Sequence, residues 1–373
     1  MTELKPITES PLAGQVVEGD YDILGVVAPI YDCCVYKVIE EPSKYISEYG
    51  IKPIVALEPQ MHGIIEQFPR WIMYFRAGSM AVAPNILMNL EGHIMYFKNL
   101  DIPVIYYLDD YIWDANQGFA LKLIMNSDAI IVATDALKEK LQGLLEAPTQ
   151  PIYTIKTHID LPAIDMLPLH HFSYLTDPSR YNILFTSQGR IGATMIHKIM
   201  EIMNETPEKY EDVTFTVIAH QVASMRSILN KFRRLRKVYY EYMPIQEYYA
   251  MCCLSDLILS PGNPDDLAYF LKESERQTWL DCKSCVKYTL AGAARIPVIA
   301  APLREYKLAI KHGETGFLAE TPEEWVHYID LMHEDREQAK KIGIACRKDI
   351  EANWNIYERT AEFAKLLREL ERK

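Results

Sequence analysis

The feature that most constrains the fold of this sequence is a long alternation of short apolar runs with segments of helical pattern. In the first half, apolar runs of strand length occupy residues 21–28, 52–57, 70–75, 102–108, 127–133 and 151–156. Short apolar runs separated by helices are typical of parallel strands that are buried on both faces. The first half, residues 1–160, is therefore predicted to be an α/β domain built on a parallel sheet.

A break separates this series from a second one. Residues 161–180 contain three prolines and no clean periodicity, which predicts an interdomain linker. Strands are then predicted at residues 181–186, 213–219, 238–242, 256–260 and 297–300, with a helix at 221–236 and a long polar loop at 261–278. The sequence thus predicts a second doubly wound domain over residues 181–353, and two such domains would face each other across a cleft.

The stretch 281–317 combines a helix start with the end of a parallel strand. Lys283 and Ser284 are predicted to open a helix that runs up to the apolar strand at 297–300, and Lys287 follows Lys283 by about one helical turn. The free N–H groups and the dipole at a helix N-terminus attract an anion, and lysine adds positive charge. The pattern therefore predicts a phosphate site, although an ordinary strand–helix unit with a solvated lysine has the same pattern.

Polar residues follow several of the predicted strands, where ligands of open parallel sheets bind. Asp109 and Asp110 end a strand of the first domain, and Gly189, Arg190 and His220 follow strands of the second. One wall of the cleft would then be acidic and the other cationic, and a cationic wall with a helix N-terminus would suit a diphosphate. The same residues are also typical of helix caps, solvated helix starts and a packed histidine. The sequence contains neither GxGxxG nor GxxxxGK[ST], which disfavours a dinucleotide enzyme or a P-loop kinase.

A cluster of basic residues interrupts an acidic sequence. The formal net charge is −12, which disfavours extensive non-specific binding of nucleic acid. The cluster is predicted to end the helix at 221–236, where cations complement the helix dipole. A local patch for nucleic acid or an anionic membrane is the alternative. Its members are Lys231, Arg233, Arg234, Arg236 and Lys237.

Cysteine usage and the N-terminus predict a cytoplasmic protein. The seven cysteines include two adjacent pairs, which is no disulfide framework, and the Cys282–Cys285 spacing has no second pair beside it to complete a metal site. No apolar signal-peptide region follows Met1, and no apolar run approaches the length of a membrane span.

Four segments carry motifs in a characteristic order. They are IPVIYYLDDYIWD at 102–114, SDAIIVATDALKEKL at 127–141, THID at 157–160 and FTSQGR at 185–190. They resemble the patterns "IPV.Y..DD..W", "aDaV.v.T..L...L", a segment ending "NgID", and a first donor-domain strand that closes on glycine.

The strongest similarity runs from residue 283 to 326. The pattern "KS..K..EY...G.PV" is met by Lys283, Ser284, Lys287 and residues 296–299. The pattern "Y...I..G..G.L.....EW" is met by Tyr306, Ile310, Gly313, Gly316, Leu318, Glu324 and Trp325. Over residues 100–360 the chain resembles the GT-B-fold glycosyltransferases, of the retaining, group-1 or family-4-like kind that uses nucleotide-diphosphate sugars.

Two positions depart from this family pattern. Leu290 stands where the family has a carboxylate that contacts the donor, and Arg295 stands where it has glycine. Another carboxylate could substitute, with Glu273, Glu275 and Asp281 as candidates. A different donor sugar or a loss of activity would also account for the missing carboxylate.

The resemblance implies a mechanism. A nucleotide-diphosphate sugar, with UDP as the favoured nucleotide, would bind the second domain without a metal or other cofactor, and the C-terminal helix, 354–373, would pack back on the first domain. Asp109 and Asp110 would face the acceptor or the sugar, and one would be a general base if the reaction inverts. Retention requires no such base. The donor diphosphate would contact Gly189, Arg190, Lys283, Ser284 and Lys287, and His220 is a weaker candidate for the nucleoside.

Several acceptors fit this interpretation. The first prediction is a glycosyltransferase that acts on a glycan, a lipid-linked or a small-molecule acceptor. The second is the same chemistry on a hydroxymethylated base in DNA, in which the basic cluster would contact phosphates and a base would be flipped out. A non-catalytic GT-B-like binding protein and a sugar-phosphate epimerase of the same fold are the remaining alternatives.

Overall fold

The computed structural model describes residues 21–28, 41–57, 62–76, 84–110, 114–145, 149–187, 191–219, 222–241, 243–268 and 271–371. These residues form two six-stranded parallel sheets with helices between the strands. The contacts divide the chain into two compact units, one up to His158 plus Ile356 onward, and one from Ile159 to Asn355. The α/β architecture predicted from the alternating pattern is confirmed.

The sheet of the first unit has the strand order β2-β1-β3-β4-β5-β6. Its direction of winding changes between β1 and β3, because strands are added on opposite sides of β1. The strands are β1 (Asp22–Ala28), β2 (Ile51–Leu57), β3 (Trp71–Phe75), β4 (Val104–Leu108), β5 (Ala129–Val132) and β6 (Ile152–Thr154). The helices are α1 (Glu41–Ile46), α2 (His62–Ile65), α3 (Pro84–Asn99), α4 (Asp114–Asn126) and α5 (Asp135–Leu144).

The C-terminal helix, α15 (Ile356–Leu370), covers one face of this sheet. Leu367 is fully buried against the strands, and its carbonyl oxygen accepts a hydrogen bond of 2.8 Å from Nε1 of Trp71. Arg368 extends the contact to Asp22 at the start of β1, with 2.6 Å between Nη1 and Oδ2. A helix distant in sequence therefore completes the core of the first unit.

The sheet of the second unit has the order β12-β11-β10-β7-β8-β9, with the change of direction between β7 and β10. Its strands are β7 (Tyr181–Ser187), β8 (Val213–Ala219), β9 (Arg236–Tyr240), β10 (Leu257–Ser260), β11 (Val298–Ala300) and β12 (Phe317–Leu318). Its helices are α6 (Leu161–Asp165), α7 (Ala193–Met203), α8 (Val222–Leu229), α9 (Ile245–Leu254), α10 (Glu273–Asp281), α11 (Val286–Ala294), α12 (Arg304–Ala309), α13 (Pro322–Glu334) and α14 (Arg336–Asn353).

The helix predicted at 221–236 is shorter in the structure, so the basic cluster lies in a turn and at the start of a strand. Helix α8 ends at Leu229, a turn follows, and β9 begins at Arg236. Phe232 and Leu235 are buried within the turn, and Nζ of Lys237 donates hydrogen bonds to both of their carbonyl oxygens. These contacts satisfy the backbone of a tight turn and so compete with helix continuation.

Two other segments differ from the prediction. The stretch 261–278, predicted as a polar loop, contains a 3₁₀ turn at Pro264–Leu267 and the first part of α10. The stretch 161–180 contains α6 and a 3₁₀ helix at Leu169–Leu175, and all of it lies in the second unit. Among the residues described above, no helix is both long and apolar enough to cross a membrane.

Candidate functional site

The winding of the second sheet changes direction between β7 and β10, and the carboxyl ends of these strands are where doubly wound folds bind ligands. After β7 the chain reaches Gly192, whose φ of +83° is left-handed and which is the N-cap residue of α7. The loop after β10 contains the 3₁₀ turn Pro264–Leu267. Three predicted site residues of this edge, Gly189, Arg190 and His220, lie outside the described part of the chain.

Asp266 joins the two loops at this position. Its carboxylate accepts hydrogen bonds from the backbone N–H of Gly192 at 2.8 Å, and from the N–H and hydroxyl of Thr194 at 3.1 and 2.5 Å. Burial raises the pKa of the Asp266 carboxyl, and the three donors oppose that rise. The carboxylate therefore already supplies negative charge at the N-terminus of α7. The sequence patterns did not indicate Asp266.

The start of α11 lies beside the end of β10. The hydroxyls of Ser260 and Tyr306 are 2.7 Å apart, and burial raises the pKa of the Tyr306 hydroxyl, which also accepts the backbone N–H of Lys287. Ser260 ends β10 and Tyr306 lies in α12, so three elements meet at the α11 start. The sequence predicted this meeting of a helix start with strand ends, and Tyr306 was matched there only as a position of a family pattern, with no contact predicted for it.

Three candidate residues of the phosphate site surround this helix start. Lys283 and Ser284 precede α11, and Lys287 lies in its first turn with a partly exposed side chain. The ammonium group of Lys283 lies 3.7 Å from the centre of the Trp279 ring, which belongs to α10. The predicted helical spacing of Lys283 and Lys287 does not hold, because α11 begins only at Val286.

The three substitute carboxylates do not lie together. Glu273 and Glu275 are in the first turn of α10 and Asp281 is its last residue, about 9–12 Å away at 1.5 Å per residue. Asp281 accepts a hydrogen bond from Gln277 and lines a groove with Arg304, Lys307 and Leu308 of α12. Asp281 is thus the one of the three that lies next to the α11 start.

The two departures from the family pattern have structural causes. Leu290 is only 2% exposed, so its side chain belongs to the core. Arg295 follows α11 in the left-handed region, with φ +61°, where glycine is favoured. Its Nη2 lies 2.9 Å from Oδ1 of Asp165, an ion pair that glycine could not form.

The carboxyl edge of the first sheet carries an ion pair. Asp109 and Asp110 follow β4, and Nε of Arg76, which follows β3, lies 3.2 Å from Oδ1 of Asp109. Asp110 is buried. Neither aspartate is the N-cap of α4, because that helix begins only at Asp114. Arg76 was not among the candidates, since a strand-end arginine carries no signal of its partner in the sequence.

The basic cluster lies at the amino edge of the second sheet. It precedes and opens β9, so the five residues of this strand, about 16 Å, separate it from the carboxyl edge. Burial lowers the pKa of Lys237, whose ammonium is directed at backbone carbonyls. Lys231, Arg233 and Arg236 are exposed, and Arg234 lies 3.4 Å from Glu208. The prediction that these residues end a helix is wrong.

No group of three or more His, Cys, Asp or Glu side chains suited to a metal ion occurs among the described residues. The cysteines described there, including Cys282 and Cys285, are thiols and form no disulfide.

Two doubly wound units, each with a change of winding within its sheet, are the architecture of the GT-B glycosyltransferases, and the chain has this fold. The resemblance predicted from the sequence is thereby confirmed at the level of the fold. A scan against protein-family models and a search of curated proteins found no match for this sequence.

Several solved structures share the fold. A glycosyltransferase from Rickettsia africae is 15% identical over 95% of this chain and 99% of its own, with a TM-score of 0.62. HepE of Anabaena, solved with UDP and glucose, is 13% identical over 94% of this chain and 100% of its own, with a TM-score of 0.65. Sucrose-phosphate synthase of Thermosynechococcus elongatus is 10% identical over 94% of this chain and 99% of its own, with a TM-score of 0.67.

Proposed function

We propose that this protein is a glycosyltransferase that moves a sugar from a UDP-sugar to an acceptor hydroxyl. The observation that carries the proposal is the α11 start, where Lys287 and the preceding Lys283 and Ser284 lie beside the end of β10. Support comes from the same fold in HepE, which has been solved with UDP-glucose, and in MnaA of S. aureus, which has been solved with UDP.

In this proposal the second unit binds the donor. The diphosphate lies at the α11 start, where the helix dipole and the charges of the two lysines stabilise developing negative charge, and Gly189 and Arg190 contact it from the loop after β7. Asp266 supports the assignment, because its carboxylate already neutralises the α7 N-terminus. The leaving UDP is stabilised by these positive groups without a metal ion.

For the donor sugar, we assign one of the three carboxylates that the sequence offered. Asp281 is the carboxylate that we assign to the donor sugar, because it lies near the α11 start and beside α12. Glu273 and Glu275 are not assigned that role, because they lie at the far end of α10. His220 stays a candidate for the nucleoside.

On the acceptor side we assign Asp109 and Asp110 of the first unit. The family resemblance implies retention of configuration, in which the acceptor hydroxyl attacks from the face that the diphosphate leaves. No general base is then needed, and the two aspartates serve to hold hydroxyl groups. The acceptor is a glycan, a lipid-linked or a small molecule.

The basic cluster does not favour DNA as the acceptor. Its turn lies at the amino edge of the second sheet, whereas the donor residues lie at the carboxyl edge. A duplex held by the cluster would therefore be about 16 Å from the donor diphosphate along the strand direction. DNA glycosylation is not proposed.

The proposal is tested by following UDP release from UDP-glucose, with water or an added glycan as the acceptor. Lys283→Ala and Lys287→Ala should each lower the rate roughly 10- to 1000-fold, because they remove positive charge that stabilises the leaving diphosphate. The control is the exposed pair Lys340→Ala and Lys341→Ala on α14, which should leave the rate unchanged. A wild-type protein that binds UDP but releases none from any UDP-sugar would establish the non-catalytic alternative.

A further inference from the structure

The ion pair at the carboxyl edge of the first sheet is more constrained than an ordinary surface pair. The side chains of Arg76 and Asp109 are only 12% and 15% exposed, and they come from the adjacent strands β3 and β4. Because solvent and salt screen a shielded pair less than an exposed one, this contact is well suited to fix the two groups.

The backbone of Arg76 is held in an unusual conformation. Its φ is +50°, in the left-handed region, which is unfavourable for a residue other than glycine. Its N–H donates a hydrogen bond of 2.8 Å to the carbonyl oxygen of Tyr107, so that β4 holds the residue in place. Strained residues that their surroundings hold in place are concentrated at functional sites.

The chemistry of the pair argues against one of the two roles open to Asp109. A general base must take up the acceptor's proton, and a protonated Asp109 would lose the charge that attracts Arg76. A carboxylate that stays ionised, and that accepts a hydrogen bond from a substrate hydroxyl through its other lone pairs, keeps the ion pair intact.

We propose that Arg76 is a positioning residue that holds Asp109 as a hydrogen-bond acceptor for a substrate hydroxyl, and that Asp109 is not a general base. The inference rests on the proposed glycosyltransferase function. It adds a residue that no sequence motif indicated, and it agrees with a retaining reaction, which needs no base.

The test compares two arginines that flank the same strand. Arg76 follows β3 and pairs with Asp109, whereas Arg70 precedes β3 and pairs with Asp22 at 3.1 Å. Arg76→Ala and Arg70→Ala are compared for UDP affinity, by calorimetry, and for kcat and KM of UDP-glucose cleavage. Arg76→Lys, and Arg76→Ala with added guanidinium ion, serve as rescue experiments.

Arg76→Ala should lower kcat roughly 10- to 100-fold, because a small displacement of Asp109 would misplace the substrate hydroxyl that it holds. UDP affinity and the KM for the donor should stay within about twofold of the wild type. Added guanidinium ion should restore part of the rate of Arg76→Ala. Arg76→Lys should keep part of the wild-type rate, since lysine retains the positive charge but lacks the planar guanidinium group. Arg70→Ala should behave as the wild type.

Two results would overturn the inference on its own. One is a wild-type protein that cleaves UDP-glucose while Arg76→Ala does so at the wild-type rate, and the other is an equal loss in Arg76→Ala and Arg70→Ala. A wild-type protein that neither binds UDP nor cleaves any UDP-sugar is a different failure, because it removes the proposed function and this inference with it.

Discussion

Leu290 shows how a single position can mislead a comparison by motif. The family pattern has a donor-binding carboxylate there, yet this side chain is buried among the core residues of the second unit. A carboxylate at the same place would lose its hydration without a partner, which is strongly unfavourable. We therefore expect a carboxylate that contacts the donor to come from another position in this chain.

Asp165 accounts for the other departure, again through a single side chain. Its carboxylate accepts hydrogen bonds from Nη1 and Nη2 of Arg347 at 3.1 and 2.7 Å, and it pairs with Arg295. Burial alone would raise the pKa of the Asp165 carboxyl, but the hydrogen bonds from the two arginines outweigh burial and lower it. Arg295 thus stabilises the second unit where the family uses glycine.

Asp165→Asn should lower the free energy of unfolding at pH 7 by about 1–2 kcal/mol, a figure reduced for the partial exposure of the carboxylate. Because the pKa is lower in the folded chain, this stabilisation is present above the unfolded value of about 3.9 and is lost as the pH falls through the folded value. Urea denaturation should therefore show a smaller deficit at pH 3 than at pH 7.

The control for Asp165→Asn is Glu337→Gln, which alters an ion pair on α14 whose two side chains are 69% and 75% exposed. It should change the stability by less than about 0.5 kcal/mol. A deficit of Asp165→Asn that is the same at both pH values would show that the lost contribution is not the ionised carboxylate.

At the scale of the element, α14 determines where α11 lies. A Cβ atom added to Gly343 of α14 would stand well under 3.0 Å from the carbonyl oxygen of Arg295, at the end of α11. The two backbones touch at this point, so α14 fixes the end of the helix whose start is the proposed diphosphate site. Gly292 in α11 is packed in the same way, because its added Cβ would overlap the side chain of Ile350 of α14.

Gly343→Ala should therefore destabilise the protein by about 1–3 kcal/mol, because backbone atoms cannot give way as a flexible side chain would. The matched change is Gly143→Ala in α5, where an added Cβ meets nothing within 4 Å. Alanine should there stabilise the helix by about 0.4–1 kcal/mol. Thermal unfolding of both variants measures the difference, and equal shifts in melting temperature would contradict the backbone contact.

At the scale of the whole molecule, the fold was largely predictable from the sequence. Parallel strands that are buried on both faces give continuous apolar runs. Eleven of the twelve described strands overlap a predicted run, and the exception is β12, which has only two residues. The prediction of a helix over 221–236 was wrong because two hydrogen bonds from Lys237 satisfy backbone carbonyl groups of a turn there, without the hydrogen bonds of a helix. Such a contact depends on the folded position of a side chain and leaves no periodic signal.

The candidate site was predictable only in part. Lys283, Ser284 and Lys287 stood out because a helix start that carries lysine and serine is a local pattern. Asp266 and Arg76 did not stand out, because their partners are distant in the sequence and only the sheet order brings them together. The partners of Asp266 are at least 72 residues away, and the partner of Arg76 is 33 residues away. Arg190, Gly189 and His220 stay predictions.

The most direct test of the central claim is a calorimetric comparison of UDP with UMP, for the wild type and for the Lys283→Ala, Lys287→Ala double variant. If the α11 start holds a diphosphate, the wild type should bind UDP at least tenfold more tightly than UMP. The double variant should lose that difference while its UMP affinity stays within about threefold, because only the second phosphate depends on the two lysines. Equal binding of UDP and UMP by the wild type, or an unchanged preference in the double variant, would contradict the assignment.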